Sequence, residues 1–303
     1  MVNIIGHRKI NLGMSLALFV VSVAALAVFG LKPGIDFSGG SLLEVRFTEK
    51  VPAQVEVVAA LADLRLDSLS VQTTATDGLI LRTKFLGEAE HQQVLAALRA
   101  GFEKDNNKVL ESSFETIGPA ISAQLKQRSA YACAAVLIGI IVYIAYAFRR
   151  VSKPVASWKY GLSAIIALVH DVTITAGVFA VLGRYAGVEV NIPFVVALLT
   201  ILGYSVNDTI VVFDRIRENL IRRSVEDFPG AVNFAINETF ARSINTTATT
   251  LFTLLALFLF GGDTIKFFSL ALLVGIFLGA YSSIFVASPL LVEVYNWQNR
   301  RRE

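Results

Sequence analysis

The chain has 303 residues, of which 54% are hydrophobic and only 17% are charged, and its mean hydropathy is +0.61. A water-soluble domain carries about a quarter charged residues and could not bury this much apolar surface, so a soluble globular protein is excluded. The formal net charge is only +3, and the single cysteine, Cys133, rules out a disulfide or thiolate metal site within the chain. The composition therefore indicates an integral membrane protein.

Six apolar segments are long enough to span a bilayer as helices, which requires roughly 17 to 25 residues. They are predicted at Leu12–Leu31, Ala130–Phe148, Gly161–Leu182, Ile192–Phe213, Ser243–Phe260 and Phe267–Leu291. The first segment lacks a small-residue cleavage site at its far end, so we expect a retained anchor rather than a signal peptide. The predicted organisation is an N-terminus with the first span, an outer domain, and five further spans with a C-terminal tail: residues 1–31, 32–128 and 129–303.

Basic residues set the expected orientation of these spans. They occur before the first span, in the connections after the second and fourth spans, and after the sixth span. Because positive residues favour the cytoplasmic side, both termini are predicted to be cytoplasmic and residues 32–128 to face outward, on the extracytoplasmic side. In the fourth span, Asp214 and Arg215 mark the cytoplasmic end. The basic residues follow the membrane boundaries, so no nucleic-acid partner is expected, whereas membrane lipid is.

The outer domain has the pattern of a small α+β fold. The order of segments is a strand at SLLEVRF, a helix at PAQVEVVAALADL, strands at SLSVQTT and GLILRTK, a helix at GEAEHQQVLAALRAGFEK and a strand at VLESSFE. The two middle strands are separated by a turn signal at Thr76-Asp77-Gly78. This βαββαβ order predicts a ferredoxin-like sheet with two helices. It contains no phosphate loop or catalytic triad, and the histidines lack metal-ligand spacing, so we expect no enzyme activity, cofactor or bound metal.

The fourth span carries the polar side chains that most need an explanation. Tyr204, Asn207, Asp208 and Val211 recur at helical spacing and share one face, which we expect to point into the bundle. Asp208 lies about six residues before the basic loop, or roughly 9 Å from the cytoplasmic end, too deep for its side chain to reach bulk water. Ionisable residues at such depth are costly and are usually functional. Asp208 is therefore predicted to couple to an ion, with a buried structural ion pair as the alternative.

Polar residues on two neighbouring spans could complete such a site. Arg242 at the start of the fifth span is the natural partner of Asp208, although it could instead be a cytoplasmic anchor. The hydroxyls of Thr246 and Thr249 could line a hydrated passage, or could bond only to backbone carbonyls. Other candidates either extend an ion path or hydrogen-bond neighbouring helices: Asn207, and His170 and Asp171 about midway along the third span. In the sixth span, small residues at four-residue intervals predict close helix packing, namely Gly275, Gly279 and Ser283.

One span, an outer domain and five further spans resemble one half of a resistance-nodulation-division (RND) transporter. Five motifs are similar to those of SecF-type subunits in the SecD/SecF protein-export family: GIDFSGG, ESSFETIGPAIS, HDV, GYSVNDTIVVFDRIREN and FSLALLVGIFLGAYSSIFVASPLL. The resemblance implies that Asp208 is the proton-linked acid of the GYSxNDT motif and that Arg242 is the arginine opening the fifth span. Ala280 departs from the threonine common in the family, and SINTTATT lies in a segment that varies.

The same resemblance implies a function in protein export. It implies a complex with SecD beside the SecYEG channel, in which the proton motive force promotes preprotein translocation across the bacterial cytoplasmic membrane. The transported ion would be H⁺, with Na⁺ as the alternative. Two other functions stay open at this point. One is an RND-type small-molecule exporter, which would need more room in the outer domain than one βαββαβ unit offers. The other is a structural scaffold subunit whose polar residues only join helices.

Overall fold

A computed structural model describes residues 2–74, 78–104, 106–147, 155–222 and 227–300, with the backbone alone described at 263 and 264. The predicted turn residues Thr76 and Asp77 lie outside these ranges, as do basic residues of the connections after the second and fourth spans and of the C-terminus. The chain divides into two compact units. One comprises Pro33–Ala130, close to the predicted limits of the outer domain, and the other comprises Met1–Lys32 with Tyr131–Glu303.

The outer unit contains the predicted four-stranded sheet with two main helices. The strands pair antiparallel in the order β2-β3-β1-β4, which is the ferredoxin-like arrangement. In chain order the elements are α2 (Ile35–Ser38), β1 (Gly40–Phe47), α3 (Gln54–Ala60), β2 (Ser70–Thr73), β3 (Gly78–Thr83), α4 (Glu88–Phe102) and β4 (Val109–Ile117). The fold predicted for this region is confirmed.

The core of the outer unit follows from the alternation within its strands. Leu43, Val45 and Phe47 of β1 point to one face, where they pack with buried residues of the helices such as Val57 and Leu98. The short helix α2, which the sequence did not predict, precedes two glycines with positive φ. A Cβ on the second of these, at φ +126°, would lie 2.5 Å from the carbonyl oxygen of Thr83. Glycine is therefore required where the chain turns into β1.

The membrane unit contains six helices that are long and apolar enough to cross a bilayer, so this prediction is confirmed for the described residues. They are α1 (Arg8–Phe29), α5 (Pro119–Ala147), α6 (Ser157–Tyr185), α7 (Ile192–Arg222), α8 (Phe228–Phe260) and the pair α9 (Asp263–Ser282) and α10 (Ser288–Arg300). A π-helical turn, Ser283–Ala287, joins this last pair. Several helices continue past the predicted apolar segments, because their amphipathic ends bury one face against the bundle.

Contacts at the two ends of the membrane unit show which segments lie together. Asn233 and Asn237 of α8 bond to backbone groups of residues 2, 4 and 5, and Arg8 pairs with Glu293 of α10 at 2.6 Å. At the other end, Lys32 pairs with Glu189 at 3.2 Å. The N-terminal segment, the start of α8 and α10 therefore lie at the same end of the bundle.

Candidate functional site

Asp208 lies on the seam between the fourth and fifth spans, α7 and α8. The hydroxyl of Ser243 donates a hydrogen bond to Asp208 Oδ1 at 2.7 Å. The other oxygen, Oδ2, is buried and has no hydrogen-bond partner among the described residues. One helical turn away, the hydroxyl of Tyr204 lies 3.3 Å from both the carbonyl oxygen of Thr246 and the hydroxyl of Thr250. The seam is thus polar, and its carboxyl group has one unoccupied oxygen.

Two expectations about this face differ from the structure. No ion pair within 4.0 Å joins Asp208 to Arg242 in the described part of the chain; Ser243, the next residue along, occupies that place instead. Arg242 directly precedes Ser243 on α8, so its backbone lies beside the contact with Asp208. Asn207, expected to point into the bundle, is exposed on its surface. The physical reason is the 100° rotation between consecutive residues, which places Asp208 in the seam and Asn207 outside it.

The fifth span presents a polar stripe on the outside of the membrane unit. Its side chains are exposed on α8, and the stripe consists of Arg242, Asn245, Thr246, Thr249 and Thr253. Thr249 and Thr253 donate to the carbonyl oxygens of Thr246 and Thr249, which satisfies the two donors locally. Arg242 and Asn245 make no such hydrogen bond to a described residue of their own helix, and hydrocarbon would offer them no partner. Polar side chains in membrane spans normally face protein or water, so this stripe indicates a surface that another polypeptide or a hydrated passage covers.

A second buried carboxyl group joins three helices, α6, α7 and α9. Asp171 of the third span, α6, is 0% exposed. Its Oδ2 accepts hydrogen bonds of 2.7 Å from the hydroxyls of Ser205 on α7 and Ser282 on α9, and its Oδ1 lies 3.0 Å from His170 Nδ1. These contacts tie α6, α7 and α9 together around one carboxyl group. His170 Nε2 is buried without a hydrogen-bond partner among the described residues.

The small residues of the sixth span allow this arrangement. A Cβ on Gly275 would overlap the side chain of Ile201, and one on Gly279 would lie 2.9 Å from Ser205 Cβ. The close approach brings Ser282 to Asp171 and places Ser283 Oγ 2.8 Å from Thr209 Oγ1. The π-helical turn begins at the same Ser283. Such turns are frequent at functional sites because they interrupt the regular hydrogen bonding of a helix.

Near the C-terminal end of α7, where the basic residues lie, a charged cluster joins α7 to α8. Arg215 makes two hydrogen bonds to Glu238, at 2.9 and 3.1 Å, and Asn219 Nδ2 donates to the same carboxylate at 2.9 Å. The sequence suggested only that Arg215 marks the membrane boundary. In the structure it joins α7 to α8, and we expect this contact to fix the register of the two helices.

A double-mutant cycle tests this role of Arg215. Because the contact is bidentate and joins two helices, Arg215→Ala and Glu238→Ala should show favourable coupling in the thermal midpoint of the purified protein. The ion pair between Asp214 and Arg217, also on α7, is the matched control, since exposed pairs within one helix contribute little. Equal coupling in the two cycles would contradict a register-fixing role for Arg215.

Sequence reasoning identified the acids but missed the groups that hold them. These groups are Ser205, Ser243 and Ser282, and Glu238, the partner of Arg215, was also missed. The available signal was weak, because serines occur on several spans and, of these three, only Ser205 shares a span with one of the acids. Of the predicted residues, the structure brings Asp208 near Arg242, and His170 next to Asp171, as two separate groups. The described residues contain no cluster of three or more His, Cys, Asp or Glu side chains that could hold a metal ion.

The chemistry of Asp208 and its neighbours would allow the carboxyl group to bind and release a small cation. A half-buried carboxyl group with one hydroxyl donor, one free oxygen and a nearby guanidinium can exchange a proton when its surroundings change. The Asp171 group is different, since both of its oxygens are already occupied.

Comparisons with known proteins agree on one family. Residues 97–297 match the family model described as the C-terminal part of the protein export membrane proteins SecD and SecF, and residues 24–51 match the SecD/SecF GG motif. The chain is similar to the protein translocase subunit SecF of Thermobaculum terrenum, with 42% identity over 99% of this chain and 95% of the relative.

Longer relatives contain the whole region as one part. The protein translocase subunit SecDF of Brucella abortus is 36% identical over 94% of this chain, which corresponds to 36% of its own length. The crystal structure of SecDF from Thermus thermophilus superimposes with a TM-score of 0.82 at 32% identity, covering 98% of this chain and 39% of that chain. The chain thus spans well under half of these longer proteins.

Proposed function

The chain belongs to the SecD/SecF family of protein-export membrane proteins, and on that basis we propose that it uses the proton motive force to promote preprotein translocation. In this proposal it acts as a transport subunit, without enzyme activity or a cofactor, in the cytoplasmic membrane of a bacterium. Both termini face the cytoplasm and residues 32–128 face the periplasm. The observation that carries the proposal is Asp208, a carboxyl group inside a membrane span with one oxygen unoccupied.

The exposed polar stripe of α8 supports association with SecD. In the longer SecDF relatives, a chain like this one is continuous with the rest of the protein, which could cover such a surface. Arg242 and Asn245 in the stripe, with Asn207 beside them on α7, are then covered by polar groups of SecD rather than by lipid. SecYEG and the preprotein are the further partners in this proposal.

The proposed coupling step is a change in the charge of Asp208. A proton arriving from the periplasmic side neutralises the carboxylate, which weakens its attraction to Arg242 and lets the contact with Ser243 change. Release of the proton to the cytoplasm restores the original arrangement. Movement of one charge through 100 mV provides about 2.3 kcal/mol, so a few protons per cycle could shift the outer domain between two packings.

The experiment that tests the function is reconstitution of this chain with SecD and SecYEG in vesicles. Preprotein import into the vesicles is measured under an imposed proton gradient, under a sodium gradient, and with neither. We expect the proton gradient alone to increase the translocated fraction, and only when this chain is present. Stimulation by sodium alone would replace H⁺ with Na⁺ as the coupling ion, and no stimulation by either gradient would contradict ion coupling.

Two alternatives make different predictions in the same system. For a scaffold subunit, Asp208→Asn would impair co-purification with SecD as strongly as it impairs export. For a small-molecule exporter, purified protein in liposomes would transport a dye without a preprotein or SecYEG. Our proposal expects neither result.

A further inference from the structure

An apolar groove runs along the outside of the membrane unit between the first, third and sixth spans. Its volume is about 380 Å³, within the range of roughly 300–1,000 Å³ found for ligand sites. The walls are formed by Leu12, Leu16 and Phe19 of α1, Ile166 and Val169 of α6, and Leu290 of α10. The occupant must therefore be a slender, apolar group.

The depth of the groove matches one leaflet of a bilayer. From Leu12 to Phe19 the first span rises roughly 10 Å at 1.5 Å per residue. Half of the hydrocarbon thickness is roughly 15 Å. Leu12 lies near the start of α1. At this end of the bundle the basic N-terminal segment contacts α8 and α10. The groove thus begins at this membrane surface and ends near the middle of the bilayer.

Side chains at the open end suit a phospholipid headgroup. Lys9 precedes Leu12 and Leu16 by three and seven residues, so all three lie on one stripe of α1, and Lys9 is exposed. Trp158, which is 64% exposed, similarly precedes Leu162 and Ile166 on α6. Tryptophan is enriched at membrane interfaces, and lysine at this level attracts anionic lipids.

Among the described residues, two neighbouring cations are already engaged, whereas Lys9 is available for a headgroup. Arg8 pairs with Glu293 at 2.6 Å, and Lys159 Nζ donates to Gln298 at 2.6 Å. Lys9 makes no ion pair with any residue in the described ranges.

The deep end of the groove reaches the third-span polar cluster. His170, whose Nδ1 bonds to Asp171, lines the groove together with Val286 of the π-helical turn. The His170 side chain is only 5% exposed, so an apolar chain in the groove would cover the remaining surface and exclude water from the His170–Asp171 pair.

We propose that the groove is a binding site for an acyl chain of an anionic phospholipid, with the headgroup at Lys9 and Trp158. The lipid belongs to the leaflet at the basic end of the bundle. This site does not depend on Asp208 or on ion coupling, so it can hold or fail independently of the proposed function.

Photolabelling of the SecD-containing complex in its native membrane tests the site. The probe is phosphatidylglycerol with a diazirine within the acyl chain, and mass spectrometry locates the labels. We expect labelling concentrated on the groove segments of α1 and α6. Val169→Trp fills the groove and should reduce this labelling roughly tenfold, equivalent to ~1.4 kcal/mol of binding free energy. Val196→Trp on α7 is the matched control and should leave it unchanged, since the two valines are 45% and 46% exposed.

The headgroup is tested with a second probe and a second variant. Phosphatidylcholine with the same acyl chain should label the groove less than phosphatidylglycerol, and Lys9→Gln should remove that difference. Labels spread evenly around the bundle, or labelling of the groove that Val169→Trp does not alter, would show ordinary surrounding lipid and overturn the proposal. A photoreactive residue at position 169 that captures SecD instead of lipid would also overturn it.

Discussion

Replacement of Asp208 by Asn should abolish the part of preprotein translocation that depends on the proton gradient. The amide keeps the shape of the side chain and an oxygen that can accept the hydrogen bond from Ser243, which the carboxylate accepts at 2.7 Å. It cannot bind or release a proton in the relevant range. We therefore expect the translocated fraction with a gradient to fall to the level without one, while thermal stability and co-purification with SecD stay at wild-type levels.

Asp214→Asn is the matched control for this experiment. It makes the same chemical change six residues further along α7, where the carboxylate is 58% exposed and pairs with Arg217 on the same helix. Exposed pairs of this kind contribute little, so stimulation by the gradient should persist. If Asp208→Asn retained full stimulation, Asp208 would not be the coupling group. Equal losses in the two variants would indicate a general effect of charge on α7.

The largest effect on stability is expected from Asp171→Ala. This substitution removes the hydrogen-bond partner of polar groups on three helices, those of His170, Ser205 and Ser282. Ser282 can redirect its hydroxyl to the carbonyl oxygen of Gly279, which lies 3.2 Å away. Ser205 Oγ and His170 Nδ1 then remain as buried polar groups without this partner, and each such group costs about 1–3 kcal/mol. We expect a loss of about 3 kcal/mol in the free energy of unfolding.

Thermal unfolding of the detergent-purified protein measures this loss. Asp171→Asn retains an acceptor oxygen and should be destabilised less than Asp171→Ala. Asp214→Ala, at an exposed site, should change stability by no more than about 0.5 kcal/mol. An Asp171→Ala protein as stable as the wild type would contradict the hydrogen-bonded arrangement. Gradient-driven export by Asp171→Asn tests the separate prediction that Asp171 belongs to the ion path: preserved stimulation would exclude it.

The two acids differ in the way their surroundings are completed. Asp171 is saturated by groups of this chain, with donors from α6, α7 and α9, whereas Asp208 has one donor and one free oxygen beside an exposed polar stripe. The free oxygen of Asp208 leaves room for a further ligand, whereas both oxygens of Asp171 are occupied. Because one oxygen of Asp208 has no hydrogen-bond partner among the described residues, a partner surface beside Arg242 would matter for the proposed coupling.

The sequence by itself determined the membrane class, the six spans and the ferredoxin-like outer domain. These properties depend on local composition and on periods of 2 and 3.6 residues, which each segment carries independently of its neighbours. It also identified Asp171 and Asp208, because an acid within an apolar run is conspicuous without any knowledge of packing.

Only the tertiary structure decided which groups meet these acids. Ser243 rather than Arg242 contacts Asp208, Asn207 faces outward, and Ser205 with Ser282 completes the shell of Asp171. These pairings depend on how each helix is rotated and aligned against the next. A shift of one residue along a helix turns the facing side chain by 100°. Close contacts such as that of Gly279 with Ser205 fix that register, and a single span contains no information about the helix it will touch.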